Sequence, residues 1–246
     1  MKLYVCANGY NETQIKQALE CVDVLKKLNH ECSINENPNL SYHDFDPQDC
    51  DLIVSLGGDG ALLRASKVAL EYDKPLIGIN AGRLGYLCAL SIEEVEKFNE
   101  ILDSCILENR SILKLTYNNN EYLGVNDIMI GKTNFGKTVD LNVYHDEMLL
   151  MKVRGDGLLI STPTGSTAYN ASAGGPLLDK ESDTFVITPI CSHDTRPYVI
   201  ADNKKINIKL NHDDAGIYVD GEYIDKYHDT AIVSKANNQL KLYCRK

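Results

Sequence analysis

Residues 51–60 read Asp-Leu-Ile-Val-Ser-Leu-Gly-Gly-Asp-Gly. The near-continuous apolar run Asp51–Leu56 is what a strand buried on both faces of a parallel sheet requires. It enters a glycine turn directly, and Ala61–Tyr72 then reads as a helix. Neighbouring segments repeat the alternation. Lys2–Cys6 reads as a strand. Asn11 with Gln14 resembles a capping box before Ile15, Ala18, Leu19, Val22, Leu25 and Leu28 at helical spacing. Pro75–Asn80 reads as another strand. Ser91 with Glu94 caps a helix carrying Ile92, Val95, Phe98 and Leu102. Strand, helix, strand in this order predicts a parallel sheet covered by helices.

From about Ile112 the pattern changes to consecutive strand-like runs: Ile112–Tyr117, Tyr122–Ile130, Thr138–His145, Met148–Arg154, Phe185–Ile190, Ile206–Leu210, Ile217–Val219, Ala231–Val233 and Leu240–Cys244. Val139, Leu141 and Val143 alternate with polar neighbours, the period of a half-buried strand. Turn residues such as Asn118-Asn119-Asn120 and Asp213-Asp214-Ala215-Gly216 separate the runs. The fold class is therefore an α/β N-terminal domain with a parallel sheet, plus a β-rich, sandwich-like C-terminal domain. The expected bounds are 1–90 for the first domain, rejoined by 228–246, and 91–227 for the second.

The chain of 246 residues has 43% hydrophobic and 24% charged residues and a net charge of −10. That balance argues against a protein that lives on nucleic-acid phosphates, which needs a basic face. A local pocket for a small phosphorylated ligand stays open. The eight cysteines form no C-x-x-C pair, so zinc spacing is missing. The polar N-terminus does not read as a signal peptide, and the cysteines read as reduced core residues of a cytoplasmic protein. No apolar stretch approaches the ~20 residues of a membrane span.

Chemistry concentrates in four segments. Gly57-Gly58-Asp59-Gly60 lies where a parallel strand ends and a helix begins, the place where α/β sheets bind ligands. Backbone N–H groups and the helix dipole suit phosphate there. Asp59 is the odd member: it binds a metal, takes a proton or holds a sugar hydroxyl, or else it caps the helix. Asn80-Ala81-Gly82-Arg83-Leu84-Gly85-Tyr86-Leu87 follows the next strand; Arg83 either reaches a phosphate or is solvated. Asn126-Asp127 interrupts an apolar run, with one side chain turned toward a cleft or the pair forming a bulge. The fourth segment spans Gly155 to Pro176. Seven hydroxyl side chains fall between residues 161 and 172: Ser161, Thr162, Thr164, Ser166, Thr167, Tyr169 and Ser172. A segment this small and polar is not expected to fill a core, and reads as a surface moulded to a polar ligand.

In this order the four segments resemble those of NAD kinases. The resemblance extends over most of the chain, into Pro189-Ile190-Cys191-Ser192-His193, Arg196-Pro197 and Asp220-Gly221. The glycine turn alone is shared with lipid kinases and phosphofructokinases; the Ser-Thr-Pro-Thr-Gly-Ser-Thr-Ala-Tyr-Asn run is specific. The resemblance implies ATP-dependent phosphorylation of the adenosine-ribose 2′-hydroxyl of NAD, with polyphosphate as donor in some members. It also implies magnesium and homodimers or homotetramers. Asp59 is the implied catalytic residue, with Gly57, Gly58, Gly60 and Arg64 on the ATP phosphates. Asp59, Gly60, Asn126, Asp127, Asp156, Thr164, Thr167, Ala168, Tyr169 and Ser172 line the implied NAD site, and no protein side chain is expected to bind the metal directly. Two departures stand out: Ala61 where the family often has Thr, and Asp127 where it usually has Glu. His193 reads as a second base or, more simply, as a structural histidine. The rival readings are a lipid kinase of the diacylglycerol-kinase type, which needs an apolar or basic membrane patch, and a non-catalytic NAD-binding module.

Overall fold

The computed structural model describes residues 1–7, 12–35, 45–82, 85–134, 136–193, 195–212 and 215–245. Asn11, Arg83, Asp213 and Asp214, each singled out above, lie outside the described residues. The chain divides into two compact units, one of residues 1–109 with 240–246, the other of residues 110–239.

The first unit is built on a sheet. Its strands are β1 (Lys2–Ala7), β2 (Glu31–Ile34), β3 (Leu52–Leu56), β4 (Leu76–Asn80), the short β5 (Leu90–Ser91), β6 (Ile106–Arg110) and, from the far end of the chain, β19 (Leu240–Cys244). They run in the order β2-β1-β3-β4-β19-β6, with β5 beside β4. The pairs β1–β2, β1–β3, β3–β4, β4–β19 and β4–β5 are all parallel. All five residues of β3 and of β4 are buried, as the apolar runs require. Helix α1 (Glu12–Lys27) buries Ala18, Cys21, Val22 and Leu25, one face at helical spacing. Helix α2 (Asp59–Glu71) buries Ala61, Leu62, Ala65, Ser66, Ala69 and Leu70.

The expected break after residue 90 falls inside this unit. Leu90, Val95, Phe98 and Ile101 belong to the same apolar core as Leu3, Val5 and Leu52. The Ser91–Glu94 capping box is present, with Ser91 N–H donating to Glu94 Oε2 at 3.0 Å. The helix expected after it is split into a 3₁₀ turn at Ile92–Lys97 and α3 (Phe98–Ser104). At the other end the return to the first unit begins at Leu240. The segment 228–239 stays in the second unit because its strand pairs on both sides there.

The second unit contains β7 (Leu113–Tyr117), β8 (Asn120–Gly124), β9 (Asp127–Lys132), β10 (Val139–His145), β11 (Met148–Gly155), β12 (Gly157–Ser161), β13 (Thr184–Ile190), β14 (Tyr198–Ala201), β15 (Ile206–His212), β16 (Ala215–Val219), β17 (Glu222–Tyr227) and β18 (Thr230–Lys235). They form two six-stranded antiparallel sheets, β11-β10-β15-β18-β7-β8 and β14-β13-β12-β9-β16-β17. Leu113, Leu141 and Ile208 from one sheet share a core with Ile128, Ile160 and Phe185 from the other, which makes a sandwich. Alternate residues of β7 and β10 face that core, the period read in the sequence. The apolar run Leu123–Ile130 is two strands, not one: the chain turns a corner at Val125-Asn126 before β9 begins at Asp127.

Candidate functional site

The phosphate-type turn lies in the first unit. Gly57 adopts φ +145°, and a Cβ there would meet the Ala61 Cβ at 2.6 Å, so the exit from β3 requires glycine. Gly58 N-caps α2, with no side-chain cap. Asp59 is therefore the first helical residue, not the cap. Its carboxylate turns instead to the next motif, where Tyr86 N–H donates to Oδ2 at 2.8 Å and Leu87 N–H to Oδ1 at 3.1 Å. Gly85 packs so tightly on this carboxylate that any Cβ would collide with it. The Cys88 thiol lies beneath, 3.7 Å from the Gly57 carbonyl and 3.9 Å from Asp59 Oδ1. Burial, with the Asp59 charge added, pushes that thiol up to about 12, so it stays protonated and inert.

Beside the turn is a cavity of about 350 Å³ lined by Gly57, Gly58, Gly60, Ala61 and Arg64, and also by Gln14, Gln17 and Ala18 of α1. Gly58 and Gly60 present open backbone. The start of α2 adds its free N–H groups and the positive end of its dipole. The sequence pointed to Arg64 and the glycines. It gave no warning of the glutamines, whose one-turn spacing sets them on the face of α1 that meets the cavity.

The candidate acceptor surface lies in the second unit, and half of it is not a surface. Ser161, Thr162, Thr164 and Ser166 are buried, against the expectation that the hydroxyl run could not fill a core. The hydroxyls of Thr162 and Ser166 serve backbone groups that the irregular chain leaves over. Thr162 Oγ1 donates to the Val125 carbonyl at 2.6 Å and accepts from Gly165 N–H at 3.0 Å. Ser166 Oγ donates to Pro163 O and accepts from Leu178 N–H. Asn170, fully buried, donates to Ser166 O and Pro176 O and accepts from Thr188 Oγ1 at 2.6 Å. This polar knot carries a short exposed rim. Thr167 and Ala168 are half-buried, while Tyr169 and Ser172, on the single-turn helix α4 (Tyr169–Ser172), are exposed.

The knot grips the Val125-Asn126 corner. Thr162 N–H donates to Asn126 O at 2.9 Å, and Gly165 lies against the Asn126 backbone with no room for a Cβ. Thr162, Thr164, Asn126 and Asp127 thus come together, while Thr167, Tyr169 and Ser172 form the adjoining rim. Asp127 is buried, and desolvation followed by the charge of Asp220 pushes its carboxyl up to about 7. Asp156 lies after β11 and ion-pairs with Lys132 of β9. The buried Arg110 donates to Thr164 Oγ1 at 3.4 Å. Lys132 and Arg110 were not singled out from the sequence, because an isolated cation carries no local signal of its partner. His193 is exposed in the loop after β13.

The chain matches known proteins over nearly its whole length. The profile of the ATP-NAD kinase N-terminal domain matches residues 3–109, and that of the ATP-NAD kinase C-terminal domain residues 125–244. An NAD kinase of Campylobacter lari is 36% identical over 239 residues, 92% of this chain and 85% of its own length. One of Sulfurimonas denitrificans is 37% identical over 204 residues, 79% of this chain and 72% of its own. Among solved structures, yeast NADH kinase complexed with NADH superposes with a TM-score of 0.84 at 21% identity, over 100% of this chain and 84% of that one. An NAD kinase from Archaeoglobus fulgidus in complex with ATP gives 0.81 at 24% identity, over 100% and 94%. At these identities the structural likeness speaks to the fold alone.

Proposed function

The chain belongs to the ATP-NAD kinase family, and from that premise we propose that it transfers the γ-phosphoryl group of ATP to the adenosine-ribose 2′-hydroxyl of NAD, giving NADP. Phosphoryl transfer asks mainly for positioning and charge neutralisation. Gly58 and Gly60, at the start of a 13-residue helix, offer backbone amides to the donor's phosphates; Gly57, whose own N–H is taken by the Ile79 carbonyl, shapes the turn, and Arg64 adds a cation on the same cavity wall. Asp59 accepts the 2′-hydroxyl proton or orients that hydroxyl. An ionised carboxylate has about four lone-pair sites, so the Tyr86 and Leu87 amides fix it without exhausting it.

The acceptor is held by Asn126, Asp127, Asp156, Thr167, Ala168, Tyr169 and Ser172, with the exposed Tyr169 ring free to pack on a flat base. Thr164 is buried, so it shapes the site from behind. Among the described residues no three His, Cys, Asp or Glu side chains converge on a metal site. When bound with the donor, magnesium would supply charge neutralisation on its phosphates, beside Gly58, Gly60 and Arg64 on the cavity wall. We extend the reading to a cytoplasmic homodimer or homotetramer, which light scattering tests. No described helix is long and apolar enough to cross a membrane.

The observation that carries the proposal is the Asp59 carboxylate, fixed by two amides on a glycine turn beside the cavity. A coupled NADP assay with ATP, polyphosphate and magnesium tests it, and NADP formation is expected. Tight NAD binding with no NADP from any donor would leave only a binding module, while phosphorylation of diacylglycerol instead would favour the lipid-kinase alternative.

A further inference from the structure

The corner that presents Asn126 and Asp127 has its carbonyls accounted for by Thr162, which takes those of Val125 and Asn126. Its three consecutive amides point the other way. Three N–H groups converging in a turn make an anion-binding nest, and here the anion belongs to the protein. Val125 N–H donates to Asp220 Oδ2 at 2.8 Å; Asn126 N–H and Asp127 N–H donate to Oδ1 at 2.7 and 3.1 Å. Asp220 N–H returns a bond to Asp127 O at 2.9 Å. The carboxylate can reach because β16 pairs with β9 up to Val219 opposite Ile128, and the chain then turns back through Asp220 (φ +50°) and Gly221 (φ +79°). Positive φ at both central residues is the signature of a type I′ hairpin. The Asp-Gly pair thus does two jobs: it closes the β16–β17 hairpin and aims a carboxylate at the neighbouring corner.

We propose that Asp220 is a positioning residue for the NAD site, its carboxylate filling the nest at Val125–Asp127 and thereby fixing Asn126 and Asp127 toward the acceptor. The inference rests on the reading of that pair as acceptor-binding. Asp220 touches no substrate; it acts through the corner. Charge-assisted bonds to three amides are stronger and more directional than neutral ones, so the corner has one geometry with the carboxylate and a looser one without it. Asp220 also bears electrostatically on Asp127, adding to the burial that raises its carboxyl. Ser161, opposite Asp127 on β12, and Thr162 beyond it are uncharged.

The test compares Asp220→Asn and Asp220→Ala with the wild type. KM for NAD is expected to rise about tenfold in the alanine variant and less in the asparagine variant, with KM for ATP within about threefold of normal. A merely structural residue would not move the pH profile. Here Asp220→Asn removes a negative neighbour from Asp127, so the acid limb of kcat/KM for NAD shifts to lower pH. Wild-type amide exchange needs no variant: the Val125, Asn126 and Asp127 amides are expected to be protected, and exchange as fast as in an open turn overturns the proposal whatever the variants do. Absence of NADP formation by the wild type would sink the kinase reading, while exchange at the corner still decides this one. An Asp220→Asn enzyme with unchanged KM for NAD and an unchanged acid limb overturns the positioning role.

Discussion

Each unit contains a carboxylate that holds backbone amides, and the two do opposite work. In the first unit Asp59 accepts from Tyr86 and Leu87, which lie on a loop well removed in sequence. In the second, Asp220 accepts from three consecutive amides of one corner. The bonds are alike in length, so the difference lies in which partner faces the proposed ligand site. Around Asp59 the neighbouring glycines are open and the cavity begins, so the amides place the acid. Around Asp220 the corner carries the two side chains proposed to bind NAD, so in that reading the acid places the amides. A hydrogen bond has no direction of purpose; the surrounding space supplies one.

Removing the charge of Asp59 is the largest test of that contrast. Asp59→Asn is expected to lower turnover by roughly 10²–10⁴-fold, the usual contribution of a general base, and to leave NAD affinity within about tenfold. Steady-state kinetics with varied NAD decides it. Near-normal turnover would make Asp59 a tie between loop and helix, no different in kind from Asp220.

Asp127 supplies the second test, through pH. Its folded-state carboxyl lies near 7 against an ordinary value of 3.8. Between those values the folded protein holds a proton that the unfolded chain has released. The stability it contributes is therefore fully present below 3.8 and is lost as pH rises through about 7. At 1.36 kcal/mol per pKa unit, ionising it in the fold costs up to about 4 kcal/mol. Asp127→Asn is expected to stabilise the protein by up to that amount at pH 8 and by less than half of it at pH 5, read from urea melts. Equal effects at both values would show that Asp127 is ionised in the fold throughout.

Much of this was legible in the sequence. The parallel sheet followed from the apolar run before Gly57, and the sandwich from the alternation around Val139 to Val143. The strands β2, β14 and β17 were not, because β2 and β17 mix polar and apolar residues without a period and the four-residue Tyr198–Ala201 is too short to show one. Leu158-Leu159-Ile160, an apolar triplet just before the hydroxyl run, is too short to carry a period, although β12 there is wholly buried. The hydroxyl run itself was misjudged for a physical reason. Composition shows how many hydroxyls are present but not how many backbone groups the irregular chain leaves for them to satisfy. The nest at Asp220 was equally invisible, since its partners lie more than ninety residues earlier.

Gly85 sharpens the comparison with a smaller effect. Its Cα packs directly on the Asp59 carboxylate. Gly85→Ala pushes that carboxylate aside without changing its chemistry, and a displacement of about 1 Å typically costs about 10²-fold in rate. Turnover is expected to fall by about that factor while KM for NAD stays within threefold. Unchanged kcat would mean that the acid does not depend on the 85–87 loop for its placement.

The smallest effect is expected where a carboxylate is held by a flexible cation instead of backbone. Asp156 pairs with Lys132 at 2.5 Å, the two side chains 36% and 18% exposed. A pair this open to water contributes about 0–1 kcal/mol and weakens with salt. Asp156 also keeps its backbone bonds to Ile190 and Lys132 when the ammonium is gone, so its position is fixed by the sheet. Lys132→Ala is therefore expected to lower stability by less than about 1 kcal/mol and to change KM for NAD by no more than about threefold, with the difference shrinking in high salt. A tenfold or larger rise in that KM, insensitive to salt, would mean that Lys132 itself touches the ligand. The contrast with Asp59 and Asp220 would then fail, because a lysine-held carboxylate would matter as much to the site as an amide-held one.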